Sequence, residues 1–223
     1  MNSNTASTAE LEFLPFPKMA RLSREVIVTE KIDGTNAQVF IRELNGVNTG
    51  QMIAANDTHA IYAGSRNRWL TVKEDNFGFA KWVEENAGEL FKLGPGRHFG
   101  EWWGSGIQRG YGLAKGEKRF SLFNTIRWCL HNQEPKQIQT GDPRIVKFQE
   151  RLPECCLLVP ELCREIGFEE GAIFNALYDL EHDGSKASPG FMDPEGIVVF
   201  HVAAGIGFKK TIKDDESPKS ALR

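Results

Sequence analysis

The stretch that decides the interpretation of this chain is Thr29-Glu30-Lys31-Ile32-Asp33-Gly34-Thr35-Asn36-Ala37-Gln38. It places Lys31 at the end of an apolar segment, directly before a turn that contains Gly34. A lysine that is held rigidly and partly desolvated is favoured as a neutral amine, and a neutral amine is a nucleophile. The alternative is a solvated lysine in a turn, because the four-residue pattern Lys-x-Asp-Gly recurs easily by chance.

The segments on either side predict an α+β fold with antiparallel sheets and flanking helices. Short runs rich in β-branched residues predict eight strands: Val26–Glu30, Ala37–Leu44, Gln51–Ala55, Ile61–Ser65, His98–Trp103, Phe120–Trp128, Gly196–Val202 and Gly207–Ile212. Turns such as Asn45-Gly46 and Ala203-Ala204-Gly205 are typical of hairpins. Helical spacing and capping residues predict three helices: Asn76–Leu93, one that begins at Asp142-Pro143, and Glu169–His182.

The composition indicates a single globular domain over residues 1–223, with a leader at about 1–22 and a tail at 214–223 that we expect to be flexible. The chain is 40% hydrophobic and 26% charged, and its net charge is −3, which argues against non-specific coating of nucleic acid. It shows neither a membrane span nor a secretory signal, so we expect a cytoplasmic protein with no membrane partner. The oligomeric state is left open.

Other motifs along the chain also place charges in or beside predicted strands. Glu101 lies in Phe99-Gly100-Glu101-Trp102-Trp103-Gly104, Glu195 precedes Gly196-Ile197-Val198-Val199, and Lys209 lies in Phe208-Lys209-Lys210. Buried strands rarely carry charges without partners, because desolvating an ion is costly. Each charge alone could belong to a structural ion pair, but their order along the chain indicates a functional site.

These segments resemble the motifs of the covalent nucleotidyltransferase superfamily, which contains polynucleotide ligases and capping enzymes. The matches, in chain order, are Lys31, Asp33 and Gly34 with motif I, Ser65-Arg66-Asn67-Arg68 with motif Ia, Phe99–Gly104 with motif III, Phe120–Asn124 with motif IIIa, Glu195–Val199 with motif IV, and Phe208–Lys210 with motif V. The resemblance covers roughly Val26 to Ile212. It implies a ligase/capping-enzyme-type, ATP-grasp-like nucleotidyltransferase domain.

The resemblance also implies roles for single residues. Lys31 would attack the α-phosphate of ATP and form a lysyl-adenylate, and Glu195 would hold Mg²⁺ or Mn²⁺ against the phosphates. Lys209 would contact the α-phosphate and favour the neutral amine of Lys31 by like-charge repulsion. The remaining nucleotide contacts would come from Glu30, Asn36, Arg66, Glu101 (to the ribose) and Phe123, or in its place Phe120 (stacked on adenine).

Two departures from the family pattern bear on this prediction. Motif V usually contains two lysines separated by one residue, but Thr211 occupies the second position here. Motif I of DNA ligases commonly has an arginine two residues after its glycine, whereas this chain has Asn36, as in ligases that resemble RNA ligase 2 and their RNA-editing relatives. We therefore predict an ATP-dependent RNA ligase that acts in RNA repair on RNA ends or nicks.

Two alternatives stay open: a minimal DNA nick ligase, and a module that binds nucleic-acid ends without turnover. The chain ends eleven residues after Ile212, so we expect no OB-fold and no C-terminal helical domain. Substrate would then be gripped by the domain itself. Our hypothesis is the basic stretch Arg109–Arg119, with its glycines and Tyr111, or else the cations Arg66, Arg68 and Lys73.

Overall fold

The computed structural model describes residues 12–44, 50–138, 140, 144–213 and 215. Its strands, in chain order, are β1 (Glu25–Lys31), β2 (Thr35–Glu43), β3 (Ala54–Ala55), β4 (His59–Ser65), β5 (Trp69–Leu70), β6 (Gly96–Gly104), β7 (Lys118–Leu122), β8 (Trp128–Cys129), β9 (Gln137–Ile138), β10 (Lys147–Phe148), β11 (Glu150–Arg151), β12 (Leu157–Leu158), β13 (Glu161–Ile166), β14 (Gly196–His201) and β15 (Ile206–Thr211). Its helices are α1 (Phe79–Glu85), α2 (Ala87–Leu90) and α3 (Glu170–Asp183), with short 3₁₀ turns at Phe91–Leu93 and Gly110–Gly112. The predicted α+β class is confirmed.

A four-stranded antiparallel sheet, which we call sheet A, has the order β13-β1-β14-β15. Side chains alternate across its strands. One face, which includes Val26, Val28, Ile197 and Val199, packs against α3. The opposite face is therefore available to line a site.

A seven-stranded sheet, which we call sheet B, has the order β12-β7-β6-β2-β4-β3, with β5 paired to β4. Its inner face forms the main hydrophobic core with α1 and α2, in which Val39, Ile61 and Phe120 are fully buried. The outer face, which carries Asn36 and Glu101, is directed away from this core. Sheets A and B each present one face that does not pack on a helix.

The predicted helix over Asn76–Leu93 is wrong as one continuous element. Helix α1 begins later because the Asp75 carboxylate accepts hydrogen bonds from the backbone N–H groups of Ala80 and Lys81, at 2.7 and 3.1 Å. The chain then leaves helical geometry at Asn86, whose side chain donates to the carbonyl of Trp82 at 2.8 Å. Two short helices and a 3₁₀ turn result.

Other boundaries also differ from the prediction. The predicted strand Phe120–Trp128 is divided by a turn in which the Asn124 side chain accepts from the N–H of Arg127. Asp142-Pro143 and Asn45-Gly46 lie outside the described residues, and the chain after residue 143 forms β10 and β11 instead of a helix. The edge strand β13 was not predicted, because its alternation of charged and apolar residues is weak.

The two-residue strands β5, β9 and β12 were not predicted either, whereas the remaining predicted elements agree with the structure to within a few residues. Helix α3 and the hairpin of β14 and β15 around Gly205 are confirmed. Residues 12–24 contain no helix or strand, and the rest of the predicted leader and most of the predicted tail lie outside the described residues. No helix in the part of the chain that the structure describes is long and apolar enough to cross a membrane.

Candidate active site

A pocket of about 700 Å³ lies between the free faces of the two sheets. Sheet A contributes Ile27, Thr29 and Lys31 from β1 and Val198 and Phe200 from β14. Sheet B and the segments that follow β4 and β7 contribute a more polar wall, made of Asn36, Arg66, Arg97, Phe99, Glu101 and Phe123. The pocket therefore combines an apolar wall, a lysine, a carboxylate and an aromatic ring.

Lys31 lies at the end of β1, and its ammonium forms an ion pair with Glu195 at 2.6 Å. These residues are 164 positions apart, yet they meet because β1 and β14 are adjacent and Lys31 is paired with Gly196. The Lys31 side chain is 22% exposed and that of Glu195 only 4%. The lysine is thus accessible from the pocket and fixed in position by a buried carboxylate.

The turn after Lys31 is held by buried contacts. The backbone N–H of Asp33 donates to the Tyr111 hydroxyl at 2.8 Å, and that of Gly34 donates to Glu101 at 3.1 Å. A Cβ atom at Gly34 would lie 2.5 Å from the carbonyl oxygen of Trp102. Only glycine therefore allows the turn to approach β6 this closely, which gives a steric reason for the Lys-x-Asp-Gly pattern.

Glu101, Asn36 and Arg66 form a chain of hydrogen bonds along one wall. The Asn36 amide nitrogen donates to Glu101 at 3.0 Å, and its oxygen accepts from Nε of Arg66 at 3.0 Å. Desolvation by burial raises the pKa of Glu101 to about 7, although Lys31 and the hydrogen bonds from Gly34 and Asn36 act in the opposite direction. This carboxyl group therefore changes charge near neutral pH.

The two aromatic candidates of motif IIIa occupy different environments. Phe120 is fully buried in the core against Phe79 and Trp82. Phe123 is 43% exposed and lines the pocket. Of the two, only Phe123 has a ring that a ligand could reach.

Lys209 and Glu30 differ in their relation to the pocket. Lys209 is exposed on β15 and is paired with Val198, so it shares the face of sheet A that lines the pocket. Glu30 lies on the opposite face, where its carboxylate accepts from the Ser185 hydroxyl at 2.6 Å and from the N–H groups of Lys186 and Ala187 at 2.8 Å each. Burial raises the pKa of Glu30, and these hydrogen bonds partly offset the increase. Its side chain therefore holds the segment after α3, and only its main chain can contact a ligand in the pocket.

The stretch Arg109–Arg119, which we expected to bind substrate through exposed cations and Tyr111, is largely engaged in contacts within the protein. Tyr111 is fully buried, and Arg109 is ion-paired with Asp33 at 3.2 Å and with Asp193 at 3.0 Å. Arg109 also donates to the carbonyl oxygens of Asp193 and Pro194, next to Glu195. It therefore connects the turn after Lys31 to the segment before β14, a role that no signal in the sequence indicates.

Within the described ranges, no three His, Cys, Asp or Glu side chains are grouped as a metal site. Magnesium, however, is commonly held by one or two carboxylates together with phosphate oxygens and waters. The buried carboxylate of Glu195 beside the pocket suits that mode of binding. The four cysteines are free.

An antiparallel sheet and a second sheet that is antiparallel except for the pairing of β12 with β7 enclose a pocket with Lys31 and Glu101 at its wall. This arrangement defines a nucleotidyltransferase fold of the RNA ligase type. The family model for RNA ligases matches residues 24–204. The chain belongs to the RNA ligase family. No curated protein matches it in sequence.

Solved structures support the fold. Two variants of the Naegleria gruberi RNA ligase, both with ATP and Mn, match with TM-scores of 0.53 and 0.50 at 18% and 19% identity. The matches cover 86% and 85% of this chain but 51% and 50% of the ligase chains. The chain thus spans about half the length of these solved structures.

Proposed function

We propose that this chain is the nucleotidyltransferase domain of an ATP-dependent RNA ligase, in which Lys31 carries the adenylyl group. The observation that carries the proposal is the position of Lys31, which lines one pocket together with Glu101 and Phe123 and is held by Glu195. The family match favours RNA over DNA as the polymer. The proposed ligase would act in RNA repair.

The reaction begins at the Lys31 amine. Its nitrogen attacks the α-phosphorus of ATP, a P–N bond forms, and the bond to the β-phosphate oxygen breaks so that pyrophosphate leaves. The adenylyl group then passes to a 5′-phosphate, and a 3′-hydroxyl displaces AMP to form the phosphodiester. Asp33 and Gly34 fix the backbone turn from which Lys31 projects.

The other residues bind and orient the nucleotide. The apolar wall of sheet A and the ring of Phe123 enclose adenine, and the Glu101 carboxylate accepts hydrogen bonds from the ribose. Arg66 and Asn36 extend this polar wall, and Lys209 supplies positive charge toward the phosphates from the edge of sheet A.

In the free protein the Lys31 side chain is ion-paired with Glu195 at 2.6 Å, so attack on the α-phosphorus requires that the amine leave this ion pair. Glu195 would hold a divalent cation, whose positive charge would favour the neutral amine and balance charge on the phosphates. Mg²⁺ or Mn²⁺ would suit the oxygen donors present.

The test is incubation with α-labelled ATP and Mg²⁺, followed by denaturing electrophoresis. We expect a covalent label on the parent protein and loss of this label when EDTA removes the divalent cation. We expect no label on Lys31→Ala, which lacks the amine, or on Lys31→Arg, because guanidinium stays protonated and cannot attack. Robust labelling of Lys31→Ala would exclude this nucleophile. The absence of any label on the parent would favour a module that only binds ends.

A second measurement addresses the polymer. Sealing of nicked RNA, nicked DNA and single-stranded ends should be compared at equal enzyme concentration, and RNA is expected to be sealed faster. Faster sealing of nicked DNA would favour the minimal DNA nick ligase instead.

A further inference from the structure

The outer face of sheet B carries a group of aromatic and arginine side chains beyond the nucleotide pocket. We call it the arginine–aromatic surface and define it by Phe40, Arg42, Tyr62, Trp69 and Arg97. The rings of Phe40, Tyr62 and Trp69 form a triangle with centroid separations of 5.8–5.9 Å. Because the core of sheet B lies on its other face, this triangle is not needed to fill it.

The two arginines of this surface lie over the rings. The guanidinium of Arg97 is 4.3 Å from the centroid of Phe40 and 5.2 Å from that of Trp69, and that of Arg42 is 5.4 Å from Tyr62. Arg97 also donates to the Gln38 side chain at 2.8 Å. These contacts fix the guanidinium groups while leaving most of their five N–H donors for a ligand.

The positive charge of this face is not neutralised. Among the described residues, no carboxylate lies within ion-pair distance of Arg42, Arg66 or Arg97. Nε of Arg42 is buried and has no hydrogen-bond partner. In a chain of net charge −3, three such arginines on one face favour a polyanionic ligand.

This surface is continuous with the nucleotide pocket. The cross-strand pairs Asn36–Glu101, Gln38–Phe99 and Phe40–Arg97 run along one face of β2 and β6, from the pocket to the ring triangle. At about 3.3 Å per residue, Phe40 lies roughly 13 Å along the strand from Asn36, and Arg42 roughly 20 Å. A strand whose end lies in the pocket could therefore extend over Phe40 and Trp69, whereas Tyr62, which is 4% exposed, only packs against their rings.

The stretch Arg109–Arg119 is a poorer candidate for the same ligand. Arg109 is neutralised by Asp33 and Asp193, and Arg119 is ion-paired with Glu117 at 2.6 Å. Tyr111 is buried and cannot stack on a base. Lys115, by contrast, is exposed, so it provides a matched control for the loss of a positive charge.

We propose that the arginine–aromatic surface binds single-stranded RNA next to the end that is joined in the pocket, a proposal that rests on the proposed function. Phosphates contact Arg42, Arg66 and Arg97, and bases stack on Trp69 and on the guanidinium of Arg97. Stacking and phosphate contacts of this kind bind single strands with little dependence on sequence.

The test uses Trp69→Leu, Trp69→Phe and Arg42→Gln, with Lys115→Gln as the control. Binding of a short fluorescent oligoribonucleotide is measured at several salt concentrations, and label transfer from ATP to Lys31 is measured in parallel. Trp69→Leu should weaken RNA binding about 5- to 100-fold, whereas Trp69→Phe should retain most of the affinity because its ring still stacks. Arg42→Gln should lower the slope of log affinity against log salt by about 0.7.

Lys31 labelling should stay close to that of the parent in all four variants, which also shows that the pocket is folded. Unchanged RNA affinity in Trp69→Leu and Arg42→Gln would overturn the proposal. Loss of affinity in Lys115→Gln alone would overturn it as well and would place the strand on the stretch Arg109–Arg119. A parent that binds an acidic polypeptide but no RNA would also overturn it. A parent that binds RNA through these residues but takes no label would instead contradict the proposed function.

Discussion

The carboxyl group of Glu101 has an unusual protonation equilibrium at the wall of the pocket. Its pKa is raised from 4.5 to about 7 by burial, so the folded state binds more protons than the unfolded state between these values. The free energy of unfolding should therefore fall as pH rises through this interval, and the loss should be complete above it.

Glu101→Gln removes this titration, so the variant should be more stable than the parent at about pH 8, by about 1–3 kcal/mol. Near about pH 4 both side chains are neutral, and the difference should largely disappear. Urea denaturation at the two pH values measures both quantities. An equal difference at both would mean that another group titrates.

Phe120 and Phe123 belong to the same motif, but we expect the first to contribute to stability and the second to nucleotide binding. Phe120→Ala should lower the free energy of unfolding by about 3–5 kcal/mol, because it leaves a cavity in the core. Phe123→Ala should change stability far less but weaken nucleotide binding, because its ring is exposed to the pocket. Thermal unfolding and ATP titration of both variants give the comparison, and the reverse pattern would assign adenine stacking to Phe120.

At the scale of single residues, the sequence predicted much of the site. Lys31, Asn36, Arg66, Glu101 and Phe123 were identified from motifs, and they line one pocket. Glu30 was also predicted to contact the nucleotide, but its side chain lies on the face of β1 opposite to Lys31 and contacts the segment after α3. The role of Arg109 depends on contacts with residues 84 positions away, which local patterns do not contain.

At the scale of elements, Arg109 connects two segments that must keep a fixed relation. It contacts the turn after Lys31 and the segment before Glu195 at the same time. Arg109→Lys keeps the charge, but a single ammonium cannot reproduce the planar set of donors. We expect the rate of Lys31 adenylylation to fall by about 10- to 100-fold through misplacement of the reacting groups.

Arg119→Lys is the matched control for that prediction. Arg119 is ion-paired only with Glu117, two residues away, among the described residues, so its replacement should leave the rate nearly unchanged. Rates from single-turnover labelling distinguish the two variants. Equal rates would show that Arg109 has no positioning role.

Element boundaries were predicted well where hydrophobic periodicity and a defined turn coincide, as in α3 and in the hairpin of β14 and β15. They were predicted poorly where a side chain interrupts the periodicity. The amide of Asn86 and the side chain of Asn124 each end a continuous pattern by bonding to the backbone nearby. Whether an asparagine side chain bonds to the nearby backbone and ends a helix or strand depends on local geometry, which the amino-acid composition does not reveal.

At the scale of the whole molecule, the pocket is formed by both sheets, so a ligand in it contacts two sheets whose cores are packed separately. An ATP analogue with a non-cleavable α,β-bridge should raise Tm, because it binds the folded state only. At a hundredfold excess over Kd the gain is about 2.7 kcal/mol, or roughly 5–10 °C for a chain of this size. Differential scanning fluorimetry with Mg²⁺ measures the shift, and an unchanged Tm at saturating analogue would contradict binding between the sheets.

The position of β1 in the middle of sheet A determines when the candidate site can form during synthesis on the ribosome. This strand is made before both of its neighbours, which come from residues 161–166 and 196–201. Sheet B can pair β2, β4 and β6 while synthesis continues, whereas Lys31 gains its carboxylate partner only after Glu195 has emerged. Nascent chains stalled before this point should take no label from ATP, because the ion pair that holds Lys31 cannot form until Glu195 has been synthesised.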